Sequence, residues 1–225
     1  MRTTKNEILS HLKRTGGSSV EELATALGLA RMTVRQHLAT LERDDLVHSR
    51  EVRRATGRPH YAFSLTDRGE EMFPKRYDRL AGLILEEVAL LDGEEIAGLT
   101  PAQKRRLLFD KMVGRVHSQY EAKVAGKPLK ERVEVVARIL DEEGGFAEWR
   151  PLNGGFEIAD YNCVYRRVAD SQGDLCDWHL SLLSRLLGND VRCTQFMSKG
   201  AQSCRFVVES GEAAAAATTE EREAR

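Results

Sequence analysis

SSVEELATALGLARMTVRQHLATLERDDLVHSREVRRATGRPHYAFSLT, residues 18–66, is the stretch from which the rest of the chain is read. Ser18 or Ser19 stands where a helix N-cap belongs, Glu21 and Glu22 follow in the first turn near the positive dipole end, and Gly28 stops the helix. Leu23 and Leu27 are its inward residues. A second helix starts almost at once, from Ala30 to about Arg43, with Val34, Leu38 and Leu41 repeating at i, i+4, i+7. The pair outlines a helix-turn-helix. The apolar stripe turns Arg31, Thr33, Arg35 and Gln36 outward, and these side chains bond phosphate oxygens or base edges in a major groove. This is the predicted recognition helix. After Leu46 the chain alternates like two strands around Thr56-Gly57-Arg58-Pro59, and the hairpin tip carries Arg53, Arg54 and Arg58, a basic wing. Upstream, residues 4 to 14 read as a helix built on Ile8 and Leu12 and ended by Gly16-Gly17.

The charge distribution agrees. Residues 1 to 66 hold 11 Lys and Arg against 7 Asp and Glu, a net of +4, so from the chain's overall -1 the remainder carries -5. A basic head on an acidic body suits a DNA-binding domain joined to a domain with another task. Within 225 residues no apolar run exceeds four or five, and no secretory h-region follows Met1, so the expectation is a cytoplasmic protein without membrane partners.

Beyond Thr66, an N-cap, a helix runs to Phe73 and restarts past Pro74, where Tyr77, Leu80, Ile84, Val88 and Leu91 keep helical spacing. Such a stripe serves as a linker helix or pairs with its twin in a homodimer. Thr100 and Pro101 then open a helix with Leu108, Met112, Val116 and Tyr120 inward, and Pro128 opens another with Leu129, Val133, Val136 and Leu140. FAEWRPL and FEIADYNC read as strands joined by Asn153-Gly154-Gly155. VYRRVADS and DWHLSLLSRLLG read as helices, and VRCTQF and CRFVV as a last hairpin around Lys199-Gly200. The predicted architecture is α+β: a winged helix-turn-helix DNA-binding domain (1–66), a linker or dimerisation helix (67–92), a cysteine-containing α+β sensor domain (93–210) and a disordered tail (211–225).

All four cysteines lie in the sensor segment, at Cys163, Cys176, Cys193 and Cys204, with twelve, sixteen and ten residues between them. These are not paired zinc-knuckle spacings, so the thiols come from separate elements and meet only through tertiary folding. Cys163 is expected to end a strand, Cys176 to start a helix, where the dipole favours a thiolate, and Cys204 to start the final strand. Cys193 falls mid-strand, and the hairpin register decides whether it shares a face with Cys204. Thiolates select zinc, cuprous copper or iron-sulfur clusters over hard cations. Asp174, Asp177 and His179 are further donors, read first as surface residues near a helix start. No C-x-x-C, phosphate loop or nucleophile-base pair is visible, which argues against an enzyme.

The pattern ADYNCVYRRVADSQGDLCDWHLSLLSRLLGNDV, continuing to KGAQSCRFVVE, resembles the C-terminal signature of the SufR-type regulators, repressors of iron-sulfur cluster assembly genes with an ArsR/DeoR-like winged helix. With the LTDRGEEMFPKRYDRL helix, the resemblance covers about residues 4 to 209. It implies a redox-sensing, homodimeric repressor on double-stranded operator DNA, with a [4Fe-4S] cluster on Cys163, Cys176 and Cys204. Cys193 falls outside the family pattern, and Cys163 is followed by Val164 where many relatives have proline. The fourth ligand is left open, with Cys193 the first candidate if the register turns it inward. The alternative is a winged-helix regulator with a zinc-stabilised or small-molecule-sensing second domain.

Overall fold

Helix α1 (Thr4–Thr15) begins where Thr3 Oγ1 accepts the Asn6 N–H and ends where Gly16 takes a left-handed φ of 74°. In the computed structural model, which describes residues 3–52 and 60–210, the chain forms two compact units, Met1–Pro74 and Lys75–Arg225. The division runs through the segment 67–92 that sequence alone presents as one linker. The wing-tip residues Arg53, Arg54 and Arg58 and the tail 211–225 lie outside the described residues.

In the first unit a short strand β1 (Ser18–Ser19) leads into α2 (Val20–Leu27), and Ser19, not Ser18, is the N-cap. Its hydroxyl accepts the Glu22 N–H at 3.2 Å while the Glu22 carboxylate accepts the Ser19 N–H at 2.7 Å, a reciprocal capping box. Helix α3 (Arg31–Arg43) follows, then strands β2 (Val47–Val52) and β3 (His60–Leu65), which pair antiparallel with Val47 opposite Leu65. The sheet order is β1-β3-β2. Ile8, Leu12, Leu23, Val34, Leu38 and Leu41 fill the core, and burying each contributes about 1.5–3 kcal/mol. A single-turn helix α4 (Asp67–Glu70), capped by Thr66, closes the unit. Gly69 is required there, because a Cβ would stand 2.1 Å from the Leu46 carbonyl oxygen.

The second unit starts with α5 (Tyr77–Ala89), a one-turn helix α6 (Gly93–Ile96) and the long α7 (Pro101–Val124), whose Thr100–Gln103 capping box carries Pro101 at its first position. The inward face of α5 differs from the predicted stripe. Leu80 and Leu83 are buried, Ile84 packs against the core and Glu87 is buried against Arg115 of α7, whereas Val88 is half exposed. A charged residue occupies the inward face because a guanidinium on the neighbouring helix meets it, which helical spacing cannot reveal.

Helix α8 (Leu129–Glu142) leads to strands β4 (Glu148–Leu152) and β5 (Gly155–Asp160), then α9 (Arg166–Ser171), α10 (Asp174–Leu187), β6 (Val191–Gln195) and β7 (Cys204–Glu209). The sheet is antiparallel throughout, in the order β4-β5-β7-β6, so β6 is an edge strand. Met112, Val116, Val133, Val136, Ile158, Leu183, Leu187, Phe206 and Val208 join helices and sheet in one core. No described helix is long and apolar enough to cross a membrane.

Candidate functional site

Helix α3 presents an outward face as its apolar stripe requires. Arg35 and Gln36 are exposed, Thr33 is partly buried, and the exposed Arg31 is ion-paired with Glu21 of α2. Two polar side chains stand ready for an outside partner, while Arg31 is already engaged. Ala30 caps α3 without a side-chain hydrogen bond and α3 has no acidic residue of its own in the first turn, so the carboxylate at this helix start is that of Glu21, paired with Arg31.

The cysteines occupy a different setting. Cys163 does not end a strand: β5 stops at Asp160, and Cys163 lies three residues on, in the loop before α9. The Tyr161 and Asn162 N–H groups both donate to the Gly145 carbonyl, at 3.1 and 2.8 Å, and Asp160 Oδ1 accepts the Asn162 N–H at 3.0 Å. These bonds peel the chain off the sheet and turn it inward. Gly145 permits the approach, since a Cβ would stand 2.9 Å from Asp160 Oδ1. The loop is also tied to the start of α5: the Arg76 N–H donates to the Val164 carbonyl at 3.0 Å, Lys75 Nζ to Asn162 Oδ1 at 3.2 Å, and the Arg167 N–H to the Tyr77 hydroxyl at 3.3 Å.

Cys176 sits in the first turn of α10 and Cys204 opens β7, as the sequence predicts. Cys163, Cys176 and Cys204 line one cavity of about 90 Å³, otherwise walled mainly by apolar and aromatic residues such as Tyr165, Trp178, Leu183 and Phe206. Burial pushes the Cys163 thiol up to about 11, so in the metal-free chain it holds its proton.

Of the other candidate donors, only His179 joins this wall. It follows Cys176 by one helical turn and meets the Phe206 ring edge-on at 5.3 Å. Burial lowers its imidazole to about 4, leaving it neutral at pH 7, the form that ligates metals. Reading it as a surface residue is therefore corrected; the i, i+3 spacing from Cys176 is the signal that places it on the same helix face. Asp174 is ion-paired with Arg105, and Asp177 is an exposed residue.

The last hairpin settles the register. Cys193 lies opposite Phe206, so it shares a sheet face with Phe206 and Cys204, and a bulge follows between Cys193 and Gln195. Cys193 nevertheless stays outside the cavity lining. Interaction between the Cys193 and Cys204 thiols lowers the Cys193 thiol and, with burial, raises Cys204. Among the described residues, no three His, Cys, Asp or Glu side chains converge closely enough to hold a single metal ion. Three thiols and a neutral imidazole line this cavity together with the charged Arg79, Glu143 and Asp160, and the thiols are the donors that suit a soft metal or an iron-sulfur cluster.

No curated protein matches the chain. Solved structures similar in part include RV1404 from Mycobacterium tuberculosis (17% identity, 56% of this chain and 75% of that one, TM-score 0.29). Two others are a MarR family transcriptional regulator from Silicibacter pomeroyi (20%, 53% and 72%, 0.28) and Bacillus subtilis PadR in complex with operator DNA (19%, 63% and 92%, 0.29). Residues 1–48, which hold α1, α2 and α3, match the family model described as winged helix-turn-helix DNA-binding.

Proposed function

We propose that the protein is a winged-helix transcriptional regulator, a homodimeric repressor of iron-sulfur cluster assembly genes whose second unit senses cluster status. The observation that supports this most is that Cys163, Cys176 and Cys204, far apart in sequence and the same three that match the SufR-type pattern, line one cavity. These three thiols would hold a [4Fe-4S] cluster, which takes one thiolate per iron and so suits donors spread around a space. His179 lines the cavity and Cys193 does not, which supports His179 as the remaining ligand. When bound, the cluster would supply an oxygen-labile and iron-labile link between the Cys163 loop, α10 and β7.

The chain's own residues give that link a route outward. The Cys163 loop is hydrogen-bonded to Lys75, Arg76 and Tyr77, the first residues after the winged-helix unit ends at Pro74. A loop held in one arrangement restrains the start of α5; a released loop does not. Further along, Leu85, Val88 and Leu90 are exposed apolar side chains on and just after α5, and a second copy of the chain is the partner we assign to them, since winged helices read paired half-sites as dimers.

Anaerobic purification with absorption, iron and sulfide analysis tests the cluster. Broad visible absorption and bound iron are expected, both lost in Cys163→Ser, Cys176→Ser and Cys204→Ser; colourless iron-free protein, or stoichiometric zinc, overturns it. For DNA, Arg35→Ala or Gln36→Ala is expected to lose about 1–3 kcal/mol of discrimination between operator and random sequence. Arg54→Ala or Arg58→Ala is expected to weaken binding to every sequence and reduce the salt slope by about one. Filter binding across salt concentrations separates the two classes, and unchanged binding in both overturns the assigned DNA face.

A further inference from the structure

Cys193 matches no position of the resemblance and lines no cavity, yet its sulfur and that of Cys204 are both bonded to the backbone at the hairpin end. The Met197 N–H donates to Cys204 Sγ at 3.4 Å, and the Cys193 thiol donates to the Gln195 carbonyl at 2.9 Å. The register explains the approach: Cys193 and Cys204 are diagonal neighbours on one face of the β6–β7 ladder, and the chain between them folds back through the bulge and the turn at Met197–Lys199. Both sulfurs are half-buried against the core, Cys193 on the edge strand β6 and Cys204 on the inner strand β7, where it also faces the cavity.

We propose that Cys193 and Cys204 are a peroxide-oxidisable pair that closes to a disulfide across the β6–β7 ladder. The reaction takes two steps with hydrogen peroxide as oxidant. The Cys193 sulfur attacks one peroxide oxygen, the O–O bond breaks, and Cys193 becomes a sulfenic acid with release of one water. The Cys204 sulfur then attacks the Cys193 sulfur, the S–O bond breaks, and a second water leaves. The two thiols are oxidised by two electrons in all, the peroxide is reduced, and both thiol protons end in water. Both sulfurs lie on one face of adjacent strands, so closure draws the edge strand toward its neighbour without turning either side chain across the sheet.

The product removes one thiol from the cavity. Closure therefore converts a set of three cysteines facing that space into two, and a thiol reductant restores it. The pair exists in the metal-free chain, so the proposal stands whether or not the cavity holds a cluster.

Iron-free, full-length, reduced protein is treated with a small excess of hydrogen peroxide, its free thiols are counted, and its peptides are mapped by mass without reduction. Free thiols are expected to fall from four to two, with Cys193 and Cys204 peptides joined and lighter by two hydrogens, reversed by dithiothreitol. Cys193→Ser is expected to abolish the linked species, and Cys163→Ser to leave it. A linkage of Cys204 to Cys163 or Cys176, or oxidation of Cys204 with Cys193 still reduced, overturns the proposal. The wild-type map decides by itself should the Cys193 variant misfold.

Discussion

Arg35 and Gln36 are neighbours on one helix and both reach solvent, whereas Cys163, Cys176 and Cys204 come from a loop, a helix start and a strand start and line one cavity. The difference follows from what each region faces. A surface that grips an outside polymer can be laid along one element, because the partner supplies the other half of the contact. A cavity that holds a small group must draw its donors from several elements, and the fold itself has to bring them together. The first kind of site depends on one helix being seated; the second depends on an entire core.

The largest test of that division is the core of the winged helix. Leu38, 1% exposed, seats α3, and Leu38→Ala is expected to destabilise the first unit by about 2–5 kcal/mol. DNA binding should fall away while Cys163, Cys176 and Cys204 keep wild-type resistance to a thiol-modifying reagent. Cysteines that become reactive in step with the loss of DNA binding would show that the two regions share one core after all.

His179 sharpens the comparison from the other side. Its folded imidazole lies at about 4 against an ordinary value of 6.5, so between those values the unfolded chain takes up a proton that the folded chain refuses. Stability from this residue is fully present above about pH 6.5 and is lost as the pH falls toward 4, by up to about 3 kcal/mol. Both tryptophans, Trp149 and Trp178, lie in the second unit, so urea unfolding followed by tryptophan fluorescence reports that unit. His179→Gln is expected to flatten this part of the pH profile. An identical profile in wild type and variant would mean that the imidazole is not held in the cavity wall.

How much of this could be read from the sequence depended on how far apart the deciding contacts lie. The first unit was legible because its signals are local: Gly16 and Gly28 end helices, and Val34, Leu38 and Leu41 mark the buried side of α3. The ends of Cys176 and Cys204 were legible for the same reason. The Cys163 loop was not, since the groups that bend it, Gly145 and Asp160, are fifteen residues apart and act through a carbonyl and a carboxylate. Nor was Glu87, whose burial depends on Arg115 of another helix. The short strand β1 was missed because two residues carry no alternation and the pairing partner is β3, more than forty residues on. The sequence leaves the Cys193 register as a choice between faces, and only the bulge and the observed pairing decide it.

The smallest expected effect tests whether a feature that is local in sequence is also local in energy. Ser19→Ala removes the hydroxyl that accepts the Glu22 N–H and leaves the Glu22 carboxylate bonded to the Ser19 backbone, so half of the capping box survives. The expected cost is about 1 kcal/mol, confined to α2 and the unit it belongs to. Native-state hydrogen exchange reads this directly: amides of α1, α2 and α3 should lose protection together, while those of α10 and β7 keep theirs. Loss of protection in β7 would contradict the picture of two separate compact units. A loss in α2 alone would show that its end frays without unseating α3, and DNA binding would then be close to wild type despite the missing cap.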